Sequence, residues 1–284
     1  MKTSSCIVFG AIGFAGLLAA PNAASALLVS GGTANITILE GNAASISELD
    51  AYFNNATTRA QTLSLPAPGN LAFTESPADP SVGTISLVDT IRPFGEVPLN
   101  DAGGTTPGAP GASRTRQATT LDFDPANVLG SWTASNDGFG IFVGNSVVGE
   151  QIAFTGMQRY TGPFGGVLIY GDFALRYVPG RDGAVSPGGL LSGLVLTSNI
   201  DFLHSAWADI ANASIAFSNN TLNITGDLLI SGALNVLDQT AVIGTKFGTI
   251  SITANVPASI PEPASLGLIA LGSLLVGRRR MARD

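Results

Sequence analysis

The sequence has few of the side chains on which most enzyme chemistry depends. Its 284 residues include one cysteine, Cys6, and one histidine, His204. Protein sites for zinc, copper and haem draw mainly on several Cys and His ligands, so we expect no such site and no cofactor. Catalysis by a cysteine nucleophile is excluded as well, because Cys6 lies in an N-terminal segment that we expect to be removed.

Charged side chains are also scarce, and lysine most of all. Asp, Glu, Lys and Arg make up 12% of the chain, whereas they make up about a quarter of an ordinary soluble domain. The 13 basic and 20 acidic residues give a formal net charge of −7, and lysine occurs only at Lys2 and Lys246. Because phosphate neutralisation needs a clustered basic surface, this balance argues against nucleic acid as a partner, and we expect none. The surface must instead rely on Ser, Thr, Asn and Gly.

The N-terminal segment has the three parts of a secretory signal peptide. Lys2 supplies a positive charge, an apolar run covers residues 6–20, and Ala24-Ser25-Ala26 forms a small-residue cleavage site. Cleavage after Ala26 would make Leu27 the first mature residue. The same pattern argues against the alternative, a buried N-terminal helix.

The C-terminus combines three elements in a fixed order: Pro261-Glu262-Pro263, an uncharged span at 264–277, and Arg278-Arg279-Arg280. A helix over this span would rise only about 21 Å, whereas a bilayer core is roughly 30 Å thick. We therefore expect transient membrane insertion by a short hydrophobic helix, with the arginines on the cytoplasmic side. The alternative, a buried core helix with a basic cap, leaves Pro-Glu-Pro unexplained.

This tail resembles the PEP-CTERM sorting signal. The match rests on Val256-Pro257 before Pro261-Glu262-Pro263, on the Gly/Leu/Ala-rich span at 265–277, and on the arginines at 278–280. The resemblance implies recognition by an exosortase, a membrane cysteine transpeptidase of Gram-negative bacteria that cuts near the Pro-Glu-Pro motif. It also implies export through the inner membrane and delivery to the cell surface or an extracellular exopolysaccharide matrix. We therefore assign residues 257–284 to a sorting signal.

Between the two targeting segments, residues 27–256 predict one β-rich exported domain. Short runs of alternating apolar and polar residues are separated by Gly and Asn, which is typical of an all-β fold. We expect a β-sandwich of the jelly-roll type, with the hydrophobic targeting helices outside it. The Gly- and Pro-rich stretch at 100–113 predicts a flexible loop, and the alternative is a linker after a small N-terminal domain.

One short helix is expected near the start of this domain. The sequence Ser45-Ile46-Ser47-Glu48 fits a capping box, and Ile46, Leu49 and Phe53 recur at helical spacing. We expect this helix to end near Asn54.

The polar residues offer weak candidates for catalysis or metal binding. His204 follows Asp201, but no Gly-x-Ser-x-Gly sequence presents a nucleophile, so a Ser-His-Asp triad is not supported. Asp122 and Asp124 could bind Ca²⁺ through their oxygens, although the rest of a calcium loop is missing. We prefer the interpretation that an alternating strand places both acids on a solvent face.

Aromatic side chains are the other candidates, because exposed aromatics favour carbohydrate binding. They make up only 7% of the chain. The ones considered are Trp132, Tyr160, Tyr170, Tyr177 and Trp207. Because large aromatics are usually buried, we interpret them as core residues.

Two functions are consistent with these observations. The first is a non-enzymatic surface or extracellular-matrix protein, sorted by an exosortase and associated with exopolysaccharide. The alternative is an exported glycan hydrolase that uses an Asp/Glu pair in a cleft. We favour the first function, because the sequence contains no catalytic motif.

Overall fold

A computed structural model describes the chain in separate stretches between residues 27 and 257. The described residues are 27–39, 48–54, 59–65, 72–76, 79–96, 99–100, 115–116, 118–132, 150–161, 167–199, 206–237 and 242–257. Several expectations concern residues outside these stretches. The residues concerned are the signal peptide with Ala24 and Ala26, residues 101–113 of the Gly/Pro stretch, Asp201, His204, and the sorting residues Pro261, Glu262, Pro263, Arg278, Arg279 and Arg280.

Strands dominate the described residues. They are β1 (Leu27–Leu28), β2 (Gly31–Leu39), β3 (Glu48–Phe53), β4 (Ala72–Ser76), β5 (Asp79–Ile91), β6 (Leu99–Asn100), β7 (Thr115–Arg116), β8 (Asp122–Phe123), β9 (Ile152–Ala153), β10 (Met157–Thr161), β11 (Val167–Gly171), β12 (Ala174–Tyr177), β13 (Val185–Ser186), β14 (Gly189–Thr197), β15 (Ala206–Ser218), β16 (Thr221–Ile230) and β17 (Lys246–Asn255). The helices are short: α1 (Arg59–Ser64), α2 (Val128–Ser131), a 3₁₀ turn (Pro179–Arg181) and α3 (Gly232–Leu237). Within the described residues, no helix combines the length and apolar character needed to cross a bilayer.

The largest sheet has ten strands and closes on itself. Its path is β4-β5-β2-β17-β16-β15-β14-β12-β9, and β13 pairs with β14 beside that path. Closure occurs where Ile91, at the end of β5, forms an antiparallel bridge with Phe154 beside β9. The Arg92 amide also donates a hydrogen bond to the Ala153 carbonyl at 2.9 Å. The strands from β5 round to β9 therefore surround a common interior.

Alternation of side chains decides what enters this interior. In β2, Ala34, Ile36 and Ile38 are buried in the main hydrophobic core, whereas the residues between them point outward. The core also contains aromatic rings, and the Trp207 ring centroid lies 5.0 Å from that of Phe173. Burying one large apolar side chain contributes about 1.5–3 kcal/mol to folding. Core packing of this kind stabilises the domain in place of disulfides.

The all-β expectation is confirmed, but the jelly-roll topology is not. Strands β14 to β17 follow each other in space in the same order as in the chain. A jelly roll requires long connections that place sequential strands in two different sheets. Here the N-terminal strand β2 joins β17, so the sheet combines strands from both sides of the 100–113 stretch.

The prediction of an N-terminal helix is wrong for those of its residues that the structure describes. Residues Glu48–Phe53 form β3, which pairs with β10, whereas residues 45–47 lie outside the described stretches. Tyr52 and Phe53 are both buried because they point to opposite faces of a strand with a core on each side. Packing on two faces has overridden a local helical pattern. A short helix does occur later, at α1.

A second, three-stranded sheet in the order β11-β10-β3 lies beside the main core. Its register places Tyr52, Gln158 and Tyr170 side by side on one face, and both tyrosines belong to the main core. The opposite face contributes Phe53 to a smaller hydrophobic cluster. Arg159 connects this sheet to α1, because its Nη1 donates to the Thr62 carbonyl at 3.0 Å.

Candidate functional site

Three consecutive rows of outward positions on four adjacent strands of the closed sheet, twelve residues in all, form a surface that we call the polar face. Their register aligns three rows across β5, β2, β17 and β16: Thr90-Thr33-Thr253-Asn223, Val88-Asn35-Ser251-Thr225, and Ser86-Thr37-Thr249-Asp227. The face contains six Thr, two Ser and two Asn, while Asp227 is its one charged residue and Val88 its one large apolar residue. The surface is therefore rich in hydroxyl and amide groups and almost free of charge.

The polar face follows from strand patterns that are visible in the sequence. In β2, Thr33, Asn35 and Thr37 alternate with buried apolar residues, and β17 repeats this with Thr and Ser. β-Branched threonine fits the extended backbone, because its restricted rotamers pack well on a pleated surface. Sequence reasoning noted the alternation but missed the face, since only the register brings the strands together.

The side chains of the polar face are accessible. Thr33, Asn35, Thr225 and Thr253 are all exposed, and Thr253 Oγ1 donates to Asn223 Oδ1 at 3.3 Å. Neighbouring strands lie about 4.8 Å apart, so each row offers polar groups at that spacing. The face can therefore present a regular array of donors and acceptors to a ligand.

The other half of the sheet is covered on its outer side. Here Val195 of β14 packs with Val178 and Ala206 in a separate buried cluster. Asp209, which is the register partner of Val195, forms a buried ion pair with Arg181 of the 3₁₀ turn. The outer face of the sheet is therefore covered over β14 and β15, whereas its outer side chains over β5, β2, β17 and β16 are accessible.

Charge at the rim of the polar face is balanced. Lys246 Nζ lies 2.7 Å from Asp227 Oδ1, and Asn212 Nδ2 donates to Asp227 Oδ2 at 2.9 Å. Partial burial alone would raise the pKa of Asp227, but the hydrogen bonds from Lys246 and Asn212 and the Lys246 charge lower it overall. Asp227 is therefore held as a carboxylate and paired with a cation.

The acids that suggested a calcium site lie where the preferred interpretation placed them. Asp122 and Asp124 are exposed, whereas Leu121, before them, and Phe123, between them, are buried. Asp124 Oδ1 accepts a hydrogen bond from the Ala126 amide at 2.9 Å and so stabilises a turn. In the described part of the chain, no group of three or more His, Cys, Asp or Glu side chains is arranged to hold a metal ion.

One acid lies inside the closed sheet, where alternation would place an apolar residue. Asp89 of β5 is 1% exposed and hydrogen-bonds to the hydroxyl of Tyr52. That hydroxyl also lies 3.0 Å from the Val88 carbonyl oxygen. Gly156 completes the arrangement, because a Cβ at this position would overlap both the Asp89 carboxylate and the Tyr52 hydroxyl. Sequence reasoning missed this pair, since its members come from different sheets.

The aromatic candidates are mainly core residues, as expected. Trp132, Tyr170 and Trp207 are buried, and burial raises the pKa of the Tyr170 hydroxyl. Tyr177 is half-buried, and its hydroxyl donates to Asp182 Oδ2 at 3.1 Å. The side chain of Tyr160 lies outside the described residues. The described candidates therefore form no open aromatic platform for a sugar ring.

Comparison with known proteins assigns the C-terminus but not the domain. The PEP-CTERM protein-sorting motif matches residues 259–280, a segment that includes Pro261-Glu262-Pro263 and the arginines at 278–280. No curated protein matches the chain. Among solved structures, the chain is similar to the C-terminal domain of HtaA from Corynebacterium glutamicum, at 11% identity and a TM-score of 0.35, over 81% of this chain and 99% of that one. A similarity this low gives no information on function.

The match confirms the resemblance that the tail itself suggested. The sorting motif implies recognition by an exosortase, while the central domain remains outside any matching family. The chain carries a PEP-CTERM sorting motif and is therefore an exported protein that an exosortase sorts to the cell envelope.

Proposed function

We propose that the sorted protein is a non-enzymatic component of the cell surface or extracellular matrix that associates with exopolysaccharide. The observation that carries this proposal is the polar face, an accessible surface of hydroxyl and amide groups on a rigid sheet. The sorting motif supports the location, and the face supports an association with hydroxyl-rich polymers. The function requires neither a cofactor nor a bound metal ion.

The positions of the acids favour binding over hydrolysis. Glycan hydrolysis needs two carboxyl groups about 5–10 Å apart that flank an accessible sugar bond. Among the described acids, Asp89 and Asp172 are each 1% exposed, and Asp209 is held in a buried ion pair. The exposed acids Asp122 and Asp124 lie at a strand end and in a turn, and Asp124 Oδ1 accepts a hydrogen bond from the Ala126 amide.

A binding assay with the exopolysaccharide of the producing cell tests the proposal. We expect the exported protein to co-sediment with the isolated polymer and to leave its length distribution unchanged after prolonged incubation. Polymer shortening would instead support the alternative, an exported glycan hydrolase with an Asp/Glu pair. Failure to bind the polymer under any condition would refute the proposed association.

Location can be tested independently of binding. We expect to find the native protein outside the inner membrane. Its intact mass should match that of a chain that begins at Leu27 and ends near Pro261. Transient insertion by residues 264–277 predicts that a variant lacking Pro261–Asp284 is exported but not sorted. A full-length C-terminus held in the inner membrane would show that the tail acts as a permanent anchor.

A further inference from the structure

We infer that the polar face is the binding site for an uncharged polysaccharide chain. This inference rests on the proposed function and adds two elements to it, the site and the class of ligand. The central residues of the site are Asn35, Ser251 and Thr225, which form the middle row of the face.

The charge of the face selects an uncharged ligand. The chain has a formal net charge of −7, so an anionic polymer is repelled at long range. A basic cluster could overcome that repulsion, but none of the twelve positions of the face is basic, and Lys246 at its rim is paired with Asp227. A neutral polymer meets no such penalty and leaves no charge desolvated.

The chemistry of the side chains complements sugar hydroxyl groups. Each Thr or Ser hydroxyl both donates and accepts a hydrogen bond, and each Asn amide supplies two donors and an acceptor. Sugar hydroxyls have the same dual character, so a single polymer can be matched at many points. Each contact is weak, but a rigid array of rows about 4.8 Å apart lets one chain engage several at once.

Other occupants fit the face less well. Stable protein–protein interfaces are centred on aromatic, arginine or large apolar anchors. The polar face offers Val88 alone, which is 51% exposed, and no aromatic residue. A second copy of the chain would therefore find no anchor on this surface.

The test compares polymers and variants of the exported protein. Cellulose serves as the uncharged probe and alginate as the anionic probe, each at low and high salt. The variants are Thr225→Val, which removes one hydroxyl, and the double variant Asn35→Glu/Thr225→Glu, which places two carboxylates in the middle row. Ser64→Glu is the matched control, because Ser64 is an exposed residue of α1 that hydrogen-bonds only locally, to the Gln61 carbonyl at 2.9 Å.

We expect the wild type and Ser64→Glu to bind cellulose with an affinity that salt does not change, and to bind alginate weakly. Thr225→Val should bind cellulose several-fold more weakly, and the double variant at least tenfold more weakly, with unchanged melting temperatures. The unchanged melting temperatures separate loss of the site from loss of the fold.

Four outcomes would overturn the inference. They are equal binding by all variants, salt-sensitive preference for alginate, binding to neither probe, and loss of a dimer in the double variant without any polysaccharide binding. If all variants still bind the native exopolysaccharide as the wild type does, the proposed function stands and only this site is wrong. If the wild type binds neither that polymer nor cellulose, the proposed function falls as well.

Discussion

The hydrogen bond between Tyr52 and Asp89 allows a sharp test of how the core is held together. The substitution Tyr52→Phe keeps the ring in the main core and removes only the hydroxyl that contacts the Asp89 carboxylate. Asp89 is 1% exposed, so water cannot readily replace this donor. We therefore expect a large loss of stability from a change of one atom.

The size of the effect follows from burial. Removing one partner of a buried hydrogen bond typically costs about 1–3 kcal/mol, and more when the remaining group is charged. We expect Tyr52→Phe to lower the free energy of unfolding by about 2–3 kcal/mol. For a domain of this size, each kcal/mol lowers the melting temperature by about 2–4 °C, so a decrease of roughly 4–12 °C should be visible.

Tyr177→Phe is the matched control, because it also removes a hydroxyl that donates to an aspartate. Tyr177 is half-buried and its partner Asp182 is exposed, so we expect a loss of about 0.5 kcal/mol or less. Urea unfolding of the wild type and both variants would give the free energies, and a double-mutant cycle of Tyr52→Phe and Asp89→Asn would isolate the pair. Equal effects of Tyr52→Phe and Tyr177→Phe would refute the reasoning from burial.

Two further predictions concern the ion pairs. Arg181→Met should destabilise the domain by about 3–5 kcal/mol, since it removes the Arg181 cation from beside the buried Asp209 carboxylate. Adding Asp209→Leu should recover most of that loss, and urea unfolding that shows no recovery would contradict this. The pKa of Asp227 is lowered in the folded state, so its contribution is fully present above the ordinary value of 3.8 and disappears as pH falls through the folded pKa. The stability difference between wild type and Lys246→Met should therefore shrink on acidification below that value, and a difference that is constant down to pH 2 would exclude the pair as its cause.

The all-β fold class could be predicted from the sequence, because the alternation that indicates a strand is a local pattern. Polar and apolar residues alternate at 84–88, a pattern that predicts a strand, and these residues lie within β5. Closure of the sheet could not be predicted, since it depends on the bridge between Ile91 and Phe154, which are far apart in the chain. The helix expected from residue 45 failed for a related reason, because burial of Tyr52 and Phe53 on two faces requires partners that no local pattern specifies.

The candidate site shows the same division between local and distant information. The outward threonines of β2 and those of β17 are each visible as an alternation in the sequence. Their meeting in common rows joins Thr33 to Thr253, and this requires the register of the closed sheet. Asp89 breaks the alternation of β5, and one of the partners that satisfies this buried acid is the distant Tyr52.

The last strand of the sheet, β17, lies directly before the sorting motif in the chain. This strand lies between β2 and β16, so the sheet can be completed only after the chain up to Asn255 has left the membrane. Pairing of the first long strand with the last is a contact of high sequence separation, which forms slowly because a long loop must close. The sorting motif begins at residue 259, directly after the described sheet. The proposed transient insertion of residues 264–277 would hold the chain at the membrane while this pairing forms, and removal of residues 261–284 leaves every described strand of the sheet in place. Loss of the motif should therefore change where the protein goes without changing its melting temperature.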